Sequence, residues 1–97
     1  MDSIVQENKD ICFLCGFPLY GTKDTHHIFN GAYRSKSDKD GLVCYLHRQC
    51  HEELHRKPKR MRMLKQIGQK VWMEHYGKTL EEFMERYGKN YDDQREG

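Results

Sequence analysis

Residues 25–55, THHIFNGAYRSKSDKDGLVCYLHRQCHEELH, decide the fold, because they hold five of the chain's six histidines and two of its four cysteines. A pair, His26-His27, opens the stretch, and His51 and His55 close it at a spacing of four. Residues four apart on a helix stack on one face, so those two imidazoles can converge on one ion. Between the doublets, residues 25–29 (THHIF) and 42–46 (LVCYL) are rich in β-branched and aromatic side chains and read as two antiparallel strands. The segment joining them, NGAYRSKSDKDG, is polar, begins with Asn-Gly and ends with Asp-Gly, and reads as a loop. After the second strand, residues 48–57 carry helix formers and stop at Pro58.

Upstream, residues 11–21 (ICFLCGFPLYG) bring Cys12 and Cys15 into a C-x-x-C followed at once by Gly16. A tight turn there sets two thiolates on one ion, and the glycine relieves the backbone where it bends. The same spacing occurs in redox motifs, but no strand-helix-strand pattern surrounds this one. His47-x-x-Cys50 supplies two more ligands, and Cys12, Cys15, His47 and Cys50 together make a closed tetrahedral set of the structural zinc type. Cys44 lies in the apolar run of the second strand and reads as a small buried hydrophobe.

Downstream, residues 60–76 read as a helix with Leu64, Ile67, Val71, Trp72 and His75 on one face. Gly68 within it costs ~1 kcal/mol relative to alanine, which close packing would explain. His75 reads as a core or surface residue of that helix, and Met63, Trp72, Met73, Phe83 and Met84 read as packing. Gly77 ends the helix, and Thr79 with Glu82 forms a capping box for a short third helix to about Tyr87. Residues 1–10 read as a loosely held arm and 92–97 as a disordered tail.

Apolar residues make up 36% of the chain and charged residues 33%, a thin supply for a small core, so a staple is expected. No signal-peptide pattern and no long apolar run is present, which favours a reducing, cytoplasmic setting and a metal staple over disulfides. Net charge is only +2, but residues 31–62 carry nine Lys or Arg against four acids. Around a cluster of metal-ligand residues such an excess reads as a phosphate-binding surface, and taken alone as a solvated charged face.

At residues 12–55 the chain resembles the HNH endonucleases of the ββα-metal fold. His26-His27-Ile28 is similar to their D/H-H-I strand, and Leu46-His47-Arg48-Gln49-Cys50-His51 to their L-C-x-x-C-H, with histidine in place of the first zinc cysteine. His55 matches the second helical ligand of members that bind their ion through three histidines. HHIF-x-G, Arg34, Ser37, Gly41-Leu42 and the closing GKNY resemble small HNH proteins of phages and prophages of Gram-positive bacteria. The resemblance implies an α+β fold: a zinc-stapled ββα-metal core over residues 11–58 with a helical extension over 59–91.

It also implies a metal-dependent endonuclease acting on duplex, single-stranded or branched DNA. In that scheme His26, His51 and His55 hold one divalent ion (Mg, Mn, Ni, Co or Zn), and His27 is the general base. Arg34, Lys36, Lys57, Lys59 and Arg60 are then candidate phosphate contacts. A homodimer would serve symmetric cleavage, and a phage-encoded chain would work in the bacterial host cytoplasm. The sequence departs from the family at its central Asn, where this chain has Asp40-Gly41-Leu42. Asp40 or a backbone carbonyl is therefore expected to orient His27. Two other functions fit the same residues: a zinc-stapled nucleic-acid-binding phage accessory protein without turnover, and an interaction module with two structural zinc sites.

Overall fold

The computed structural model describes residues 3–21 and 23–92. The two strands form as expected, β1 (Asp24–His27) and β2 (Val43–Leu46), antiparallel with His26 opposite Cys44 and His27 opposite Val43. Helices α1 (Arg34–Asp40), α2 (Arg48–Leu54), α3 (Pro58–Tyr76) and α4 (Leu80–Tyr87) complete an α+β fold. Pro58 does not sit in a break between helices. It opens α3, at a position whose missing N–H has no helical partner to lose. The Thr79 side chain accepts from the Glu82 N–H and the Glu82 side chain from the Thr79 N–H, so the capping box is formed.

The segment read as a loop between the strands is a correction. Residues Gly31–Tyr33 make a 3-10 turn and lead into α1, which ends at Gly41 with φ of 77°. Asn-Gly and Asp-Gly thus mark the two ends of a short helix. Its buried residues, Ser37 and Asp40, are polar and are satisfied from elsewhere in the chain. The Ser37 Oγ donates to the Leu42 carbonyl (2.6 Å) and accepts from the Phe29 N–H (3.2 Å), bridging the two sides of the hairpin. The Asp40 carboxylate accepts from Trp72 Nε1 (2.8 Å), the Tyr87 hydroxyl (2.7 Å) and the Arg86 guanidinium (Nη2, 2.8 Å).

The first ten residues, expected as a loose arm, are tied down from Ser3 onward. A two-stranded sheet leaves β2 with a free edge, and an unpaired edge needs cover. Here the Ser3 hydroxyl donates to the Val43 carbonyl, the Ile4 N–H to the Gly41 carbonyl (2.9 Å), and Tyr45 donates its N–H to Gln6 Oε1 (2.9 Å). The Phe13 N–H completes the edge by donating to the Tyr45 carbonyl (2.9 Å). Residues 93–97 of the expected tail lie outside the described residues.

Two apolar clusters flank the hairpin. One gathers Cys12, Leu19, Cys44, Leu46, Leu54 and Leu64 beside the C-x-x-C turn. The other gathers Ile28, Phe29, Leu42, Trp72, Phe83 and Tyr87 between α1, α3 and α4. The buried line of α3 is Leu64, Gly68 and Trp72, so the face read from sequence is rotated: Ile67 is 40% exposed and Met63 also points outward, as does Met84 on α4. Gly68 brings α3 close, since a Cβ there would lie 2.9 Å from Ile28 Cγ2 and 3.2 Å from Phe29 Cε2. Among the described residues no helix is long and apolar enough to cross a membrane.

Candidate metal centres and the cleft beside them

The turn at Cys12–Cys15 is closed by the Gly16 N–H donating to the Cys12 carbonyl (2.9 Å), with Gly16 at φ of 78°. His47 occupies the N-cap position of α2 and Cys50 lies on its first turn, which brings both to the thiols of Cys12 and Cys15. Cys12, Cys15, His47 and Cys50 each offer a ligand atom within 4.8 Å of the others, a set able to hold zinc. The His47 Nδ1 lies 3.3 Å from Cys15 Sγ, and its Nε2 faces the Pro18 carbonyl at 2.8 Å. That carbonyl fixes the tautomer with Nδ1 free for an ion, and is the chief reason the imidazole's pKa is raised.

Burial pushes the Cys12 thiol up, but backbone N–H groups of Cys15, His47 and Leu14 outweigh it and bring the pKa down to about 6. Burial first, then hydrogen bonding with Cys12 and Cys15, pushes Cys50 up to about 12. Zinc binding to thiols of this kind displaces their protons. Cys44 stays outside. It is fully buried, its pKa is raised to about 12 by burial, and it acts as core, as its strand position implied.

The second set is His26, His51 and His55, whose ligand nitrogens also lie within 4.8 Å of one another. His51 Nε2 is 3.3 Å from His26 Nδ1 and 3.2 Å from His55 Nε2. The spacing of four on α2 stacks two imidazoles, and the strand register brings His26 beneath them. Burial, then the neighbouring His51 and His55, lower the His26 pKa to about 4, so this ring is a neutral ligand at ordinary pH. Lys65 of α3 adds to that lowering, which places a cation near the triad that its helical position in the sequence did not signal.

Strand alternation gives His27 different neighbours from His26. Its Nε2 lies 3.1 Å from Asp38 Oδ1, on α1. Asp40, expected to take this role, is committed to Trp72, Tyr87 and Arg86 and points the other way round α1. With Nε2–H donated to Asp38, the Nδ1 of His27 is the free acceptor. An open cleft of about 540 Å³ runs past this ring, lined by His27, Gly31, Ala32, Arg34, Ser35 and Asp38.

The five candidate phosphate contacts do not cluster. Arg34 shares the cleft with His27. Lys36 donates to the Arg86 carbonyl (3.2 Å) and lies over the Tyr33 ring, so it is occupied within the fold. Lys57 and Arg60 line a recess of about 110 Å³ beside Cys15 and Cys50, and Lys59 is exposed on the first turn of α3. No protein-family model matches the chain, and comparison with curated proteins and with solved structures finds no match either.

Proposed function

We propose that this chain is a metal-dependent endonuclease of the HNH type that hydrolyses DNA phosphodiester bonds. The observation that carries the proposal is that His26, which with His51 and His55 of α2 makes a three-imidazole ligand set, is followed on the same strand by His27, whose Nε2 faces a carboxylate. Three neutral nitrogen donors suit Mn, Co, Ni or Zn, and Mg with several waters, and three protein ligands leave positions open as catalytic sites require. The Cys12, Cys15, His47 and Cys50 set has four ligands and is suited to a closed structural zinc.

His26, His51 and His55 would hold a divalent ion through imidazole nitrogens, which bring no negative charge that would repel a phosphate, and a bound ion would supply Lewis-acid stabilisation of the charge developing on the phosphoryl group. His27, steadied through Nε2 by Asp38, takes at Nδ1 the proton of the water that attacks phosphorus. One phosphorus–oxygen bond forms and one to a sugar oxygen breaks, and that oxygen takes a proton from solvent water, leaving a phosphate monoester on one strand end and a hydroxyl on the other. Arg34, in the same cleft, contacts a phosphate oxygen and positions the strand without reading its bases.

The test is cleavage of plasmid, single-stranded and branched DNA with Mg, Mn, Co or Ni supplied in turn. Cleavage with at least one of these ions is expected. His27→Ala should lower the rate about 10²–10⁴-fold, the usual worth of a general base, while ion uptake is retained. Absence of cleavage on every substrate and ion defeats the proposal. DNA binding unaffected by His27→Ala, without cleavage, would instead assign the chain as a zinc-stapled nucleic-acid-binding protein.

A further inference from the structure

The triad has a support that its three ligands do not include. Asp24 opens β1, opposite Leu46 in the ladder, and that register sets its carboxylate under α2. Its Oδ2 lies 3.2 Å from His51 Nδ1, while Nε2 of the same ring faces His26 and His55. We infer that Asp24 is a positioning residue for the triad: it accepts the Nδ1 proton of His51 and so presents the His51 Nε2 lone pair to a divalent cation shared with His26 and His55. The inference rests on the metal-site part of the proposed function.

The argument is one of tautomers. A neutral imidazole carries one proton on one of two nitrogens, and a ring protonated on Nε2 is blocked as a ligand at that atom. A carboxylate is an acceptor only, so beside Nδ1 it selects the tautomer with Nε2 bare. Asp24's other close cation does not compete for this oxygen. Arg48 Nη2 is 4.0 Å from Oδ1, and its side chain is 76% exposed, a loose and solvent-screened pair.

The experiment titrates Co(II) into the full chain with zinc held in the Cys12–Cys15–His47–Cys50 set, since cobalt absorption separates imidazole from thiolate ligation. In parallel, ¹⁵N NMR of labelled histidines reads the His51 tautomer. Asp24→Ala should weaken Co(II) uptake about 10–100-fold, the range for losing a partner behind a ligating histidine, and Asp24→Asn, which keeps an oxygen acceptor, should fall between. The wild-type spectrum should show His51 protonated at Nδ1. A wild-type ring protonated at Nε2 overturns the inference even where Asp24→Ala fails to fold. Wild-type Co(II) affinity in Asp24→Ala, with uptake lost in His51→Ala, overturns it and leaves the triad intact. Uptake unchanged in His51→Ala removes the triad as a metal site, and the inference with it.

Discussion

The two apolar clusters that flank the hairpin are of similar size, and neither is large enough to hold a small domain alone, yet they are closed by different chemistry. The first, around Leu46, Leu54 and Cys44, is bounded by the four-ligand Cys and His set. The second, around Phe29, Trp72 and Tyr87, is pinned by one carboxylate, Asp40, with donors from α3 and α4. A metal joins ligands that come as close pairs along the chain, while the Asp40 carboxylate joins donors that lie 32 to 47 positions away from it. Both clusters lean on the same hairpin, which carries His26 of the triad and His27 while α2 carries His51 and His55, so each closure bears on the site from one side.

With zinc bound in the four-ligand set proposed to hold it, stripping that ion is expected to have the largest effect. Structural zinc is worth about 10–16 kcal/mol in finger peptides, which matches or exceeds the ~5–15 kcal/mol total stability of an ordinary domain. A zinc-loaded chain treated with a strong chelator should lose its cooperative thermal transition, and Trp72 emission should shift to the red as the second cluster opens too. Trp72 remaining buried in the stripped chain would show that the two clusters stand independently and break the comparison.

Next comes Asp40. Truncating one partner of a buried charged pair costs about 3–5 kcal/mol, because the remaining partners keep their desolvation without their bonds. The Arg86 side chain is 34% exposed and recovers water, so Asp40→Ala should cost roughly 2–4 kcal/mol by urea unfolding at fixed zinc. Asp40→Asn, keeping an acceptor for Trp72 or Tyr87, should cost less. Burial, followed by the Asp40 carboxylate, raises the Tyr87 phenol, which favours its hydrogen-bond-donating form. A loss under about 1 kcal/mol, the worth of one ordinary hydrogen bond, would show that the carboxylate does not close this cluster.

The same contrast explains what the sequence revealed. The C-x-x-C with Gly16, His47-x-x-Cys50 and the His51–His55 spacing are local patterns, and each placed its residues where the fold has them. The strands, α3 and the capping box were equally local. The helix α1 was not legible, because RSKSDKD has no apolar face and its two buried residues find their partners at Phe29, Leu42, Trp72, Arg86 and Tyr87. Asp38's contact with His27 depends on α1 and was hidden with it, which is why Asp40 looked like the available carboxylate. Ser3 and Gln6 reach Val43 and Tyr45, about forty positions away, beyond any local window.

The smallest effect is expected at Gly68, where helix propensity and packing oppose each other. Alanine gains ~1 kcal/mol over glycine inside a helix, and if α3 only needed to be helical the change would stabilise. The added Cβ, however, would meet Ile28 Cγ2 at 2.9 Å and Phe29 Cε2 at 3.2 Å, both on fully buried side chains. Ile28 is branched at Cβ and has no other easy rotamer, and forcing a methyl into a filled core costs about 1–3 kcal/mol. Packing therefore wins by roughly 1 kcal/mol, and Gly68→Ala should lower the urea midpoint slightly with an unchanged slope. Because Ile28 follows His27 directly, the displaced methyl pushes on the strand that carries the proposed base. The variant should consequently lose activity at temperatures where it is still folded, whereas a stabilised, fully active Gly68→Ala would mean that α3 does not set the position of β1.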